Sequence, residues 1–459
     1  MATYTLEDTI VALSTSPGVG GIGIVRLSGP EARAIGRRLF RAAQPGQSPS
    51  LYESHRLTYG HIVDPASGRM VDEVLLAYMA GPHTYTRQDV VEIDAHGGPV
   101  ATREILSLCL AAGARPAHEG EFTLRAFLNG RLDLAQAEAV LDVIAAKTGS
   151  ALRVAVDQLD GRLSQHVRAV RRTLLETLAY LEATVDFPED DVPPQDIGPV
   201  LAQAADGLRE LLRQADQGLV YRQGVRTAIL GRPNVGKSSL LNALLRADRA
   251  IVTPIPGTTR DTLEETLSLQ GIPLVLVDTA GIAETDNLIE QLGIERSRRA
   301  VAAADLVLLV VDGSVPPTPA DEQVAALCEG KRTVVVLNKG DLPTVCDGSA
   351  CVPDVPRVTV SALTGEGLPE LEALLVETIL AGGVAASEAP VASNPRHREA
   401  FRRALASVGE AQRALRDGLP ADMQAIDLAE AIQTLGEVTG ETASDELLET
   451  IFSQFCIGK

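Results

Sequence analysis

Gly-Arg-Pro-Asn-Val-Gly-Lys-Ser-Ser, residues 231–239, places Gly231, Gly236, Lys237 and Ser238 at every position of the pattern G-x-x-x-x-G-K-[ST]. Apolar, partly β-branched Val225 to Leu230 precedes it as a strand, and Ser239 to Leu245 follows with helical character. That context separates a phosphate-binding loop from a glycine-rich turn. Backbone N–H groups over Asn234, Val235, Gly236, Lys237, Ser238 and Ser239 are expected to face nucleotide phosphates at a helix N-terminus. Lys237 adds a compact charge against the β and γ phosphates, and the Ser238 hydroxyl offers a ligand to Mg²⁺.

Downstream segments follow in matching order. Pro273 to Val277 reads as a strand whose tip carries Asp278, Thr279, Ala280 and Gly281, a carboxylate near the metal and a sensor of the γ-phosphate. Val334 to Leu337 leads into Asn338-Lys339-Gly340-Asp341, and Val358 to Val360 into Ser361-Ala362-Leu363. These two loops read the base. The Asp341 carboxylate accepts from the N1–H and 2-amino group of guanine, donors that adenine lacks, and an unpaired buried carboxylate costs roughly 1–3 kcal/mol or more, so GTP is preferred to ATP.

Hydrolysis is less direct. Ras-like GTPases carry a water-orienting glutamine after the Asp-x-x-Gly element, but Ile282 stands here, and the acidic stretch from Glu284 to Glu290 is the nearest substitute. The charge of an arginine finger, worth about 10³–10⁵ in rate, also needs replacing. The Asn234 side-chain carbonyl suits a monovalent cation, and the loop Thr253 to Thr259 could complete its cage, with Thr259 on Mg²⁺. Asn234 is equally readable as a turn residue bonding its own backbone, and chemistry alone leaves both open.

Pro-Gly-Thr-Thr-Arg-Asp (256–261), Asp-Thr-Ala-Gly-Ile (278–282) and Ile-Glu-Gln-Leu-Gly-Ile-Glu-Arg-Ser (289–297) join the phosphate loop in resembling the MnmE, or TrmE, family of tRNA-modification GTPases. So do Gly-Gly-Ile-Gly-Ile-Val-Arg-Leu-Ser-Gly (20–29), the segment from Gly120 to Ala139 and the closing Phe-Cys-Ile-Gly-Lys (455–459), so that the resemblance spans essentially the whole chain. It implies K⁺ held by Asn234, Thr253, Ile255 and Thr258, Mg²⁺ held by Ser238 and Thr259, and nucleotide contacts along Thr253, Pro254, Ile255, Pro256, Gly257, Thr258 and Thr259. Glu290 is the implied catalytic residue, positioning the hydrolytic water in a homodimer whose G domains meet across the nucleotide. Ala283 departs from the Arg expected in many relatives.

The resemblance further implies 5-formyltetrahydrofolate bound in the dimer interface at Arg26, Glu92, Arg131 and Lys459. It implies an FAD-dependent MnmG-like partner in a heterotetramer, and modification of C5 of wobble uridine 34 of tRNA to a carboxymethylaminomethyl or aminomethyl group. By residue type alone Arg26 and Arg131 are equally ordinary ion-pair residues. Cys456, beside basic Lys459, is a candidate functional thiol, although free cysteines are more often inert and buried. The rival class is an RNA- or ribosome-assembly GTPase switch without covalent chemistry on RNA.

Composition agrees. A chain of 459 residues suggests about three domains. A net charge of -20 argues against broad nucleic-acid affinity. The Arg168, Arg171, Arg172 and Arg396, Arg398, Arg402, Arg403 clusters read as solvated helix faces. Five scattered cysteines without C-x-x-C point to reduced thiols in a cytoplasm and no zinc site, and neither a membrane span nor a basic signal segment is seen. The expected fold class is multidomain: an α+β N-terminal domain (1–125), an α-helical bundle (126–221 and 381–459) and an inserted α/β, Ras-like P-loop GTPase domain (222–380). Gly18, Gly20 and Gly23 satisfy G-x-G-x-x-G, but a strand follows, so no dinucleotide site is expected. His96 reads as a turn or core histidine.

Overall fold

The computed structural model describes residues 6–43, 53–187, 192–247, 265–277, 298–349, 352–380 and 392–459. Contacts divide the chain into two compact units, residues 1–141 with 436–459, and residues 142–435. Residues 126–141 and 436–459, which periodicity alone groups with the helical bundle, therefore pack within the first unit.

In that unit β1 (Ile10–Leu13), β2 (Ile22–Ser28), β3 (Phe40–Ala42), β4 (Arg56–Val63), β5 (Met70–Met79), β6 (Val90–His96) and β7 (Arg115–Pro116) form one sheet in the order β3-β4-β5-β6-β2-β1-β7. Period-two patterning decides its faces. Val25, Leu27, Val91 and Ile93 point into a core with Ile35 and Leu39 of α1 (Ala32–Leu39) and Ile105 and Cys109 of α2 (Pro99–Ala111). Arg26, Glu92 and Asp94 consequently lie on the opposite face, where Leu57, Tyr59 and Leu75 are exposed. Gly60 is required where β4 meets β3, because a Cβ there would come 2.3 Å from the Arg41 carbonyl oxygen.

Past the sheet come α3 (Glu121–Leu128) and α4 (Leu134–Ala145). In the second unit follow α5 (Gly149–Leu159), α6 (Arg162–Asp186) and α7 (Gly198–Gln223). The nucleotide-binding sheet consists of β8 (Val225–Leu230), β9 (Glu265–Leu269), β10 (Ile272–Leu276), β11 (Leu306–Asp312), β12 (Thr333–Asn338) and β13 (Arg357–Thr359), in the order β13-β12-β11-β8-β10-β9. Only β9 is antiparallel to its neighbour. Every residue of β11 and β12 is buried, as a parallel sheet covered on both faces demands. The helices are α8 (Lys237–Ala247), α9 (Pro319–Ala326) and α10 (Leu368–Ile379), and afterwards α11 (Pro395–Arg416), α12 (Ala421–Thr439) and α13 (Asp445–Phe452).

α7 packs along α11 and against β10, tying the nucleotide domain to the helices that flank it in sequence. The basic clusters lie mostly on exposed helix faces, as expected: Arg168, Arg172, Arg398, Arg402 and Arg403 are exposed, while Arg171 and Arg396 are half-buried. Arg171 Nε donates to the Ile432 carbonyl oxygen and Arg403 to Thr434 Oγ1, while Arg398 pairs with Asp216, so these arginines cross-link helices.

Candidate functional site

β8 ends at Leu230 and α8 begins at Lys237, so the loop between them opens onto a helix N-terminus. Gly231 and Gly236 take φ of 149° and 95°, and a Cβ on them would come 2.4 Å from the Val310 carbonyl oxygen and 2.2 Å from Asn338 Nδ2. Glycine is thus demanded twice, by backbone conformation and by close approach. Lys237 Nζ donates to the carbonyl oxygens of Gly231 and Arg232 at 2.8 and 2.9 Å. Burial holds its pKa below the ordinary lysine value.

Asn338, at the end of β12, joins the phosphate loop to the base-reading loops. Its Nδ2 donates to the Val235 carbonyl oxygen at 2.7 Å, and its Oδ1 accepts from the Ala362 N–H at 3.0 Å. Ser361 Oγ donates to Asp341 Oδ1 at 2.6 Å and accepts from the Thr364 N–H at 3.1 Å, which orients a carboxylate that still has lone pairs for two guanine donors. Lys339, at a left-handed φ of 67°, reaches Asp312 Oδ2 at 2.7 Å. Burial alone would raise the Asp312 pKa, but bonds from Lys339 and Ser314 hold it below the usual value. Leu363 is exposed beside this site, as are Ser238 and Ser239. Asn234 is also exposed, with φ 64°, a conformation compatible with a turn and with a cation ligand alike.

Thr253, Pro254, Ile255, Pro256, Gly257, Thr258 and Thr259, together with Asp278, Thr279, Ala280, Gly281 and Glu290, lie outside the described residues.

A second constellation occupies the first unit. Arg26 Nε donates to Glu92 Oε1 at 2.7 Å, directly across the β2–β6 register, and Arg26 Nη1 donates to the Gly458 carbonyl oxygen at 3.4 Å. Residues 455–459 are seated by buried Phe455, by a bridge between Glu119 and Ile457, and by the Phe122 N–H donating to the Lys459 carbonyl oxygen at 3.2 Å. Exposed Arg131 holds its guanidinium 4.8 Å from the Tyr85 ring centre, and that of Arg26 lies 5.8 Å from the Phe122 ring. Burial raises the Tyr85 pKa against the opposing pull of Thr123, Arg131 and Arg26, placing both arginines within electrostatic reach of one phenol. Arg26, Glu92, Arg131 and Lys459, predicted from four distant stretches, thus fall in one region; Cys456 beside them is exposed.

Sequence reasoning missed the support beneath this region. Arg125 and Glu121, both 1% exposed, pair at i,i+4, and Arg115 and Asp8 complete the network. Burial pushes Glu121 up, yet Arg115, the His118 N–H and Arg125 outweigh it and hold the carboxyl below its ordinary value. The i,i+4 spacing in Glu-Phe-Thr-Leu-Arg was the available signal. His96 corrects its expectation in part: it ends β6 exposed rather than in the core, with Nδ1 2.7 Å from Asp72 Oδ1. Among the described residues no helix is long and apolar enough to cross a membrane, and no cluster of His, Cys, Asp and Glu is arranged to hold a metal.

Two family models match: the GTP-binding protein TrmE N-terminus over residues 9–131, and the MnmE helical domain over residues 134–456. A tRNA modification GTPase MnmE of Roseiflexus castenholzii is 51% identical over 99% of this chain and 99% of its own. That of Chloroflexus aurantiacus is 51% identical over 99% of this chain and all of its own. The G domain of the T. maritima FeoB iron transporter is 27% identical, covering 34% of this chain and 98% of that one, with a TM-score of 0.24.

Proposed function

The chain belongs to the MnmE (TrmE) family of tRNA-modification GTPases, and from that premise we propose how this GTP hydrolase works. The observation that carries the reading is Asn338 bonding both the phosphate loop and the Ser361–Leu363 loop, because a base seated against Asp341 is then held in register with phosphates at Lys237. The Asp341 carboxylate selects guanine, Lys237 meets the β and γ phosphates, and Ser238 with Thr259 holds Mg²⁺. Asn234, Thr253, Ile255 and Thr258 hold K⁺, and Glu290 orients the attacking water. Exposed Ser238 and Ser239 in the first turn of α8 support the Mg²⁺ and phosphate assignment, and the exposed, left-handed Asn234 is compatible with the K⁺ one. When bound, K⁺ supplies the positive charge that an arginine finger supplies elsewhere. The domain limits at 221 and 380 belong to the same reading.

For the first unit the reading is a site for 5-formyltetrahydrofolate at Arg26, Glu92, Arg131 and Lys459, in a cytoplasmic homodimer that works with an FAD-dependent MnmG-like partner on C5 of the wobble uridine of tRNA. Convergence of those four residues supports it, and Cys456 is its candidate thiol. GTP turnover in KCl and NaCl at equal ionic strength tests the hydrolytic part: a large excess in KCl is expected, and equal rates remove Asn234 from its role. Nucleoside analysis of tRNA from cells lacking the protein tests the rest, since an intact wobble modification would favour an assembly switch.

A further inference from the structure

One buried polar atom on the Arg26 face of the first unit's sheet has no hydrogen-bond partner in the structure: Asp94 Oδ1. Asp94 follows Glu92 by two positions on β6 and therefore shares its face. Across the sheet Glu92 is opposite Arg26, while Asp94 is opposite Ile24 on β2 and Leu75 on β5, so its flanking neighbours offer no donor. Arg26, whose charge acts on Asp94, donates to Glu92 and to the Gly458 carbonyl oxygen. Burial, and next the Glu92 charge, raise the Asp94 pKa, while Arg26 opposes them. A buried acceptor left unpaired in this way costs stability, and such atoms mark places that a ligand or an ordered water completes.

We propose that Asp94 is a further ligand-contacting residue of the folate site, its Oδ1 accepting an N–H donor from the 2-aminopyrimidinone edge of the pterin beside the Arg26–Glu92 pair. This rests on the folate reading and deepens it. Charge argues for that end of the ligand: Glu92 and Asp94 side by side repel the carboxylates of the folate tail, whereas the pterin edge presents N–H donors. Arg131 and Lys459 are the groups suited to the anionic tail.

The test measures binding of 5-formyltetrahydrofolate and its 2-desamino analogue to the full-length protein and to Asp94→Leu, alongside thermal stability. Leucine removes the acceptor and relieves the orphaned oxygen, so the variant should melt no lower than the parent while binding the folate about 10- to 100-fold more weakly. The parent should disfavour the 2-desamino analogue to a similar degree, and Asp94→Leu should lose that discrimination. A parent that binds folate, with Asp94→Leu binding equally well or discriminating equally, overturns the role of Asp94 alone. A parent that binds no folate overturns the folate reading together with it.

Discussion

The nucleotide site and the Arg26 site are built on opposite logics. Around the nucleotide, each functional loop follows the strand that aims it: Leu230 ends β8 just before the phosphate loop, and Asn338 ends β12 just before Asp341. Parallel strands bring those ends to one edge of the sheet, so short motifs carry the chemistry. Around Arg26, nothing local suffices. Its partners are Glu92, 66 positions away, and Gly458, 432 positions away, and the second contact depends on a tail seated by Phe455 against α3 and α4, by the Glu119–Ile457 bridge and by the Phe122 N–H. A motif-built site is disabled by changing one loop, whereas a convergent one is also disabled from its anchors.

The sharpest probe of the motif-built site is Asp341→Asn. An amide presents N–H where guanine also presents N–H, so GTP affinity should fall about 10³-fold or more while xanthosine triphosphate, with a 2-oxo acceptor, gains. Competition of both nucleotides against a fluorescent analogue reads this directly, and unchanged preference for GTP would move base recognition away from Asp341. The matching probe of the convergent site is Phe455→Ala. Emptying that buried position should cost about 3 kcal/mol and, with no change at Arg26 or Glu92, weaken folate binding through the displaced tail. Calorimetry and folate titration check it; retained affinity would show that the tail is dispensable and erase the contrast.

This contrast also explains what could be read before the fold was known. Val225 to Leu230 and the loops at Asn338 and Ser361 were legible because strand, turn and chemistry are contiguous. β4 was not, since its alternating pattern is broken by Gly60, whose reason is the Arg41 backbone passing beside it. β11 reads in the sequence as no more than an apolar run, although its Asp312 receives Lys339. Arg26 and Glu92 entered by family resemblance, and their direct pairing across β2 and β6 needed the register. Asp94 was invisible for the same reason.

A smaller effect should follow from Asn338→Ala. It removes the donor to Val235 and the acceptor of the Ala362 N–H, for a loss of about 2 kcal/mol. If Asn338 couples the loops, inorganic triphosphate weakens together with GTP and GDP, because the phosphate loop loses its anchor at the Val235 carbonyl oxygen. Loss confined to the base, read by comparing GTP with inorganic triphosphate, would reduce it to a local brace.

Acid provides the mildest and most selective discrimination between the two regions. Glu121 and Asp8 are held below their ordinary values, in each case because arginine partners outweigh burial. The sign follows: a carboxyl with a depressed folded pKa stabilises the fold above its unfolded value near 4, and that contribution is lost as pH falls through the folded value. Asp94, shifted upward, acts in the opposite sense and is relieved by acid. The exposure of the Asp8 side chain, 29%, limits its share, whereas Glu121 and Arg125 are buried together at the start of α3, beside the Phe122 N–H that holds Lys459. Calorimetry between pH 5 and pH 3 should therefore lower the transition that Phe455→Ala identifies as the first unit's, and folate binding should fail with it. If that transition is insensitive to acid, or if Glu121→Gln folds and keeps the same acid dependence, the buried network does not hold α3 where the tail needs it, and the Arg26 site stands on its sheet alone.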